Sequence, residues 1–334
     1  MAKFTELDLM QMVSMPFDTK VRMSQKRIKD WADYFGEDKV YVSFSGGKDS
    51  LVLLHMVRCL YPSVPAVYCD TGLEYPELKA FVKTFSNVVT LHPDMTFREV
   101  IQEYGYPLVT KEVSQVIELV RQNIKEGKET YRMKRLMGTL VDKQGRYSRY
   151  NCPKWRFLLD MDIKISNKCC DVMKKHPFKV YEKETGRRGF IGTRALESMA
   201  RRQAWMETGC NAYTSRRQVS KPLSFWTEQD IYEYILRYKL TLCSLYGEVV
   251  WDKEKGYSST GIERTGCMWC AYGCHKEKSP TRFEIMKRTH PKIYDYIMRP
   301  LSEGGLGYRE IFERMNEEDG IYIRYGQEEK NDVP

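Results

Sequence analysis

The segment Ser45-Gly46-Gly47-Lys48-Asp49-Ser50 has the residue types of a phosphate cradle. Two glycines let the backbone turn sharply and approach a ligand closely. The run Leu51–Val57 that follows is helix-compatible, so the turn delivers unpaired N–H groups at a helix N-terminus, where anions bind. Ser43, Ser45 and Ser50 add hydroxyls, Lys48 adds a point charge suited to phosphate, and Asp49 adds a carboxylate. The spacing is not that of the Walker loop, which places four residues between its first glycine and its Gly-Lys pair.

A second set of chemistry-bearing residues is sulfur. Cys169-Cys170 are adjacent and Cys267-Met-Trp-Cys270 is a C-x-x-C. In a reducing compartment such clusters point to metal or redox chemistry rather than to disulfides. Neighbouring thiolates crowd on a single zinc, whereas a [4Fe–4S] cluster accepts four thiolates on separate irons. Cys274-His275 keeps a zinc knuckle with Cys267 and Cys270 open as an alternative, and an absence of metal is the third. Cys59 and Cys69 lie in apolar runs and read as small core residues. Cys152, Cys210 and Cys243 carry no assignment, and a catalytic role for Cys152, Cys210 or Cys274 stays open.

These sets must be held by a fold of alternating strands and helices. Lys39–Phe44, Pro65–Cys69, Asn87–Leu91 and Arg188–Gly192 read as strands. Helices are expected over Asp49–Leu60, from Pro76, over Val113–Gly127, and over Thr227–Tyr238 with Thr227 as N-cap. The order implies an α/β, doubly wound, mostly parallel sheet with ligands at the carboxyl ends of its strands. Ser45–Ser50 and Asp70-Thr71-Gly72 both fall at such ends, so they are expected to share a site. The division by sequence is a helical lead-in over 1–36, a nucleotide-binding domain over 37–240 with an insertion at 111–156, and a cluster-binding helical region over 241–334. Gln327–Asp332 is polar and expected to fray.

Composition is that of a globular chain of 334 residues, with no apolar run long enough to span a bilayer. The first residues lack a signal-peptide pattern, so the expected location is cytoplasmic. The net charge of +9 is concentrated. Residues 121–156 hold eleven Lys/Arg against three acids, a net +8, interleaved with Tyr131, Tyr147, Tyr150 and Trp155. Charge with stacking surface suits single-stranded or looped nucleic acid; a solvated helical insertion serving a nucleotide is the plainer alternative.

The chain resembles the phosphoadenosine phosphosulfate (PAPS) reductase family, also described as adenine nucleotide α-hydrolase-like. The resemblance runs in order over roughly residues 38–275. Its loop is similar to the SGGxDS loop of the PP-loop ATP pyrophosphatases, which cut ATP between the α and β phosphates. Asp70-Thr-Gly72 resembles the family's DTG, and Lys168-Cys-Cys-Asp-Val-Met-Lys174 the CC segment of its iron–sulfur members. Gly192-Thr-Arg194, Ser198 and Arg201 resemble the G-x-R-x-x-x-S-x-x-R run. Lys221-Pro-Leu-Ser-Phe-Trp226 with Asp230, then Gly256-Tyr-Ser-Ser and Cys267-x-x-Cys270, complete it. The resemblance implies a PP-loop (HUP-like) α/β domain, with nucleotide bound at Ser43 and Ser45–Ser50, Asp70–Gly72, Gly192, Arg194 and Ser198. For the cysteine-bearing branch it implies a [4Fe–4S] cluster on Cys169, Cys170, Cys267 and Cys270.

Three departures shape the expected reaction. The sulfonucleotide reductases use a nucleophilic cysteine in a C-terminal E-C-G-x-H-type motif, and this sequence has no cysteine after Cys274. Those reductases also carry a degenerate loop, whereas Lys48 and Asp49 are present here. The third departure is the basic insertion. The expectation is therefore an ATP-dependent sulfur-transfer enzyme using Mg²⁺ with ATP. Lys48, Asp49, Arg194 and Arg201 would be its catalytic residues, and a cysteine desulfurase would be a suitable sulfur source. Nucleic acid is one acceptor, and no membrane is involved. The alternatives are a reductase making sulfite from adenylyl sulfate or PAPS, and a non-catalytic nucleotide-gated nucleic-acid-binding module.

Overall fold

The structure is a computed structural model that describes residues 3–326. The expected fraying of Gln327–Asp332 lies outside the described residues. In chain order the elements are α1 (Glu6–Val13), α2 (Phe17–Phe35), β1 (Val40–Ser43), α3 (Lys48–Leu60), β2 (Ala66–Cys69), α4 (Pro76–Lys83), β3 (Val88–Leu91), α5 (Phe97–Glu103), β4 (Leu108–Val109), α6 (Lys111–Lys125) and α7 (Tyr131–Met137). They continue as α8 (His176–Thr185), β5 (Arg188–Ile191), α9 (Met199–Thr208), β6 (Asn211–Ala212), β7 (Val219–Ser220), α10 (Glu228–Arg237), β8 (Val249–Asp252), β9 (Gly256–Ser259), β10 (Ala271–Tyr272), α11 (Arg282–Thr289), α12 (Pro291–Met298) and α13 (Tyr308–Asn316).

Two compact units form, and each draws on two stretches of chain. The first combines the residues up to Pro93 with His176–Gly266; the second combines Asp94–Lys175 with the residues from Cys267 onward. The observed divisions therefore differ from those read along the sequence at 36/37 and 240/241. The N-terminal helices are not a separate lead-in, because α2 packs into the first unit's core through Ile28 and Trp31. Its Lys20 ammonium donates to Asp230 at 2.7 Å, and Ser24 Oγ accepts from the Trp226 indole at 2.9 Å. Asp230 also closes the capping box of α10, accepting from the Thr227 amide at 2.6 Å while Thr227 Oγ1 accepts from the Asp230 amide at 3.2 Å.

The first unit is built on a six-stranded sheet in the order β3-β2-β1-β5-β7-β6. Its first five strands are parallel, and β6 pairs antiparallel to β7. This is the α/β, doubly wound, mostly parallel sheet expected. The strand order reverses between β1 and β5, where Ser43 is opposite Ile191. In such sheets the crevice beyond the carboxyl ends at the reversal is where ligands bind. The helix α3 leaves β1 at that point and is apolar nearly all round, with Val52, Leu53, Met56 and Val57 fully buried.

The second unit has a short parallel pair, Leu108 opposite Ala271 and Val109 opposite Tyr272. Thr110 caps α6, and Ser114 returns from the first turn of that helix to donate to the Leu108 carbonyl at 2.6 Å. Arg121 clamps the segment after Pro153 by donating to the carbonyls of Leu158 at 2.6 Å and Met161 at 2.7 Å. Among the described residues no helix is long and apolar enough to cross a membrane.

Candidate functional site

The loop after β1 is held by its own serines. Ser50 Oγ donates to the Gly47 carbonyl at 2.8 Å and accepts from the Ser45 amide at 3.2 Å, with Ser45 Oγ 3.1 Å away. These hydroxyls, read from sequence as phosphate donors, thus shape the turn. Gly46 has φ +75°, and a Cβ there would meet Leu78 and Val82 of α4 at 2.9 Å. Gly192, beyond β5, is required by proximity instead: a Cβ would lie 2.9 Å from the Asp49 carbonyl oxygen and 3.2 Å from Ser50 Cα. That close approach joins the ends of β1 and β5 into one site.

A cavity of about 290 Å³ opens there. Of the expected residues, Ser43, Ser45, Gly47, Lys48, Asp49, Ser50, Gly192, Arg194 and Arg201 line it. Lys48, only 2% exposed, points its ammonium to the Glu263 carbonyl at 2.8 Å and Glu228 at 2.9 Å, over the rings of Tyr232 and Tyr246. Its backbone amide donates to Tyr246 Oη at 3.1 Å. Arg194 Nε donates to Asp49 Oδ1 at 2.6 Å and lies 3.4 Å from Glu197, which also pairs with Arg201.

Cations outnumber acids on these walls. Lys48, Arg194, Arg201 and Arg264 face Asp49 and Glu197. Burial works against the Lys48 ammonium, yet the Glu228 hydrogen bond and the nearby Asp49 hold its pKa above the ordinary lysine value. Burial also raises the Glu228 carboxyl, but Lys48, Arg194 and Arg264 more than offset that and leave it below its ordinary value. Arg201 is held down by burial and by the guanidiniums of Arg264 and Arg194, against the pull of Asp49. A pocket with four cations held by Asp49, Glu197 and the neighbouring Glu228, at a helix N-terminus, is suited to a polyanion.

Several expected residues are placed elsewhere. Asp70 pairs with Lys79 at 2.9 Å and accepts from the Gly72 amide at 3.0 Å, closing its own turn. Thr71 Oγ1 donates to Glu74 at 2.8 Å, and none of Asp70, Thr71 or Gly72 lines this cavity. Ser198 is the N-cap of α9, accepting from the Arg201 amide at 3.2 Å. Conversely, Glu197, Tyr246, Arg264 and Thr265 line the cavity without having been singled out from the sequence. Glu197 lay inside the G-x-R-x-x-x-S-x-x-R run, and Arg264 was the one arginine between Arg237 and Cys267.

The cysteines gather in the second unit. Cys169 and Cys170 share a hydrogen bond: it raises the Cys169 pKa, with burial adding to the rise, and lowers that of Cys170, beside Lys111 and Lys174. Cys267 and Cys270 lie within electrostatic reach of Cys169, and burial pushes Cys270 up to about 11. Burial likewise pushes Cys274 up to about 12. Arg282 donates to the Cys270 carbonyl at 2.7 Å. The phenol of Tyr308, fully buried and beside Cys270 and Cys169, has no hydrogen-bond partner, and neither does His275 Nδ1. Among the described residues no three His, Cys, Asp or Glu side chains are drawn together to hold a metal ion. Cys69 is buried as expected, but Cys59 is exposed on α3, because the apolar run there turns that position away from the sheet.

A match to the phosphoadenosine phosphosulfate reductase domain covers residues 39–272. The chain belongs to this family. PAPS reductase membership carries nucleotide binding and sulfur-related chemistry with it. A search of curated proteins gave no match. Among solved structures the chain is similar to a phosphoadenylyl-sulfate reductase from Candida auris in a phosphate complex, at 15% identity and a TM-score of 0.38, covering 76% of this chain and 98% of that one. It is also similar to the FMN adenylyltransferase of Candida glabrata with FAD and pyrophosphate, at 12% identity and a TM-score of 0.42, covering 96% and 92%. Likenesses this distant say nothing of substrate.

Proposed function

We propose that the first unit binds ATP in the cavity beyond β1 and β5 and cuts it between the α and β phosphates, adenylating an acceptor that sulfur then enters. The observation that carries this reading is the convergence of Lys48, Arg194, Arg201 and Arg264 on the amino end of α3. An acceptor oxygen attacks the α-phosphorus, the bond to the bridging oxygen breaks, and pyrophosphate leaves with the electron pair. A sulfur nucleophile then displaces AMP from the adenylated acceptor. Lys48 and Arg201 neutralise the departing pyrophosphate, and Arg194, steadied by Asp49, faces the α-phosphate.

Two groups from outside the polypeptide belong to this reading. The carboxylate of Asp49, beside the loop, is a hard oxygen donor that fits Mg²⁺ accompanying ATP. Among the described residues, the four thiols of Cys169, Cys170, Cys267 and Cys270 feel one another electrostatically without being drawn together as a ligand set, and their chemistry, with a buried Tyr308 phenol lacking a partner beside them, fits a [4Fe–4S] cluster. Such a cluster supplies electron transfer or a sulfide site when bound. Lys111 and Lys174 beside Cys170 favour the thiolate needed to hold it. Zinc on Cys267, Cys270, Cys274 and His275 is the rival.

Incubation with ATP and a sulfur source such as a desulfurase-generated persulfide tests the reading through pyrophosphate release. Conversion of adenylyl sulfate to sulfite with ATP untouched would instead mark a reductase.

A further inference from the structure

Residues 131–156 of the second unit carry eight Lys/Arg against the single acid Asp142. Tyr131, Tyr147 and Tyr150 stand out of this segment at 56%, 78% and 49% exposure. Trp155, grouped with them on sequence, is buried with its ring 4.9 Å from that of His275, so it offers no stacking face.

The exposed tyrosines are held in place. Val141 bridges Tyr147 across a hairpin, and the Asp142 amide donates to the Arg146 carbonyl at 2.8 Å. The Asp142 carboxylate accepts from the Gln144 amide at 2.9 Å and the Arg146 amide at 3.0 Å. It also pairs with the Arg146 side chain at 2.9 Å, so the segment's only acid is taken up inside the turn. Arg149 lies 5.1 Å from the centre of the Tyr150 ring and Arg135 lies 5.8 Å from it. The open ring of Tyr147 and the half-exposed ring of Tyr150, which carries these two guanidiniums over it, form a cation–aromatic surface that matches alternating bases and phosphates.

We infer that α7 and the hairpin after it form a docking surface for single-stranded nucleic acid, with Tyr147 and Tyr150 stacking on bases and Arg132, Lys143 and Arg149 taking phosphates. A duplex would hide its base faces from the tyrosines. A membrane would need a broad apolar face beside the charge, and the exposed aliphatic side chains in this segment are Met137 and Val141, set among charged residues and tyrosines. The inference goes beyond the proposed reaction, since the surface would bind even if the first unit cut no ATP.

The test is fluorescence anisotropy of the full chain with a labelled single-stranded oligonucleotide, without ATP. Tyr147→Ala and Tyr150→Ala should each weaken binding about tenfold, and Tyr147→Phe should retain it. Each of Arg132→Ala, Lys143→Ala and Arg149→Ala should reduce the log–log salt slope by about 0.7. Lys179→Ala with Lys183→Ala, which removes charge from α8 of the first unit, should change little. Unaltered affinity of the two alanine variants, an equal loss on removing the α8 charges, or tighter binding to duplex, polyglutamate or phosphatidylglycerol vesicles overturns the proposal. Pyrophosphate release is assayed separately, so its failure leaves this result standing.

Discussion

Arg194 donates through Nε to Asp49 Oδ1 at 2.6 Å, tying the segment after β5 to the first turn of α3. The pair spans the reversal point of the sheet, with Arg194 largely buried and Asp49 about one-fifth exposed in its side chain. Asp49→Ala would leave Arg194, among the described residues, with Glu197 at 3.4 Å and Glu228 at 3.8 Å as acidic partners. Breaking such a pair costs about 3 kcal/mol, somewhat less where water reaches the carboxylate. Asp49→Ala should lower the urea midpoint of the full chain and weaken nucleotide binding together. A double-mutant cycle with Arg194→Ala should show coupling above about 1 kcal/mol.

Lys48 is the cation most enclosed by the site. Lys48→Ala should reduce pyrophosphate release by about a hundredfold or more, and should also lower stability, because a buried stem and its bonds to Glu228 and the Glu263 carbonyl are lost. Lys48→Arg should not rescue, since a planar guanidinium does not reproduce a compact ammonium that lies 5.6 and 5.5 Å from the Tyr232 and Tyr246 ring centres. Steady-state kinetics on both variants checks this.

Gly192→Ala should separate the two halves of the site. Its Cβ would press on the backbone of Asp49 and Ser50, which cannot swing aside as a side chain can. Nucleotide affinity should fall at least tenfold while the circular dichroism spectrum is retained. Gly46→Ala faces movable side chains of α4 but a left-handed backbone, and should cost about 1–2 kcal/mol of stability.

The pH dependence follows from Lys48 and Glu228. The Lys48 pKa is raised, so its contribution is complete below the unfolded value of about 10.4 and is lost as pH climbs through the higher folded value. The Glu228 pKa is depressed, so its contribution is complete above about 4.3 and is lost as pH falls through the lower folded value. Stability from this pair should therefore be flat between these limits. Glu228→Gln should shrink the acid-side loss modestly, as its carboxylate is partly solvated. Denaturation midpoints across pH measure both.

Much of this arrangement was legible in the sequence because it is local. The Ser45–Ser50 turn, the strands flanking it and the Thr227 cap of α10 all depend on neighbours a few residues away. The lining by Tyr246 and Arg264 was hidden because it depends on contacts about 200 residues apart in sequence, such as Lys48 with Tyr246 and with Glu263. The β4–β10 pair joins strands of two residues each, too short to leave a periodic signal. The region over 241–334, expected to be helical, also contains the β8–β9 hairpin. Asp70 looked like a ligand-facing carboxylate because it follows a parallel strand, but a lysine on α4 takes it up.

The cysteine centre makes a separate prediction. Chain purified without oxygen should carry iron and a broad visible absorption, and Cys169→Ser or Cys270→Ser should lose both. Stoichiometric zinc without iron would contradict the cluster assignment.

The most direct test of the central claim is the fate of ATP labelled on its α-phosphate. The account predicts label in AMP or in an adenylated acceptor, with unlabelled pyrophosphate released, and no turnover in Lys48→Ala. Label in ADP with release of inorganic phosphate, or untouched ATP beside sulfite formed from adenylyl sulfate, would contradict it.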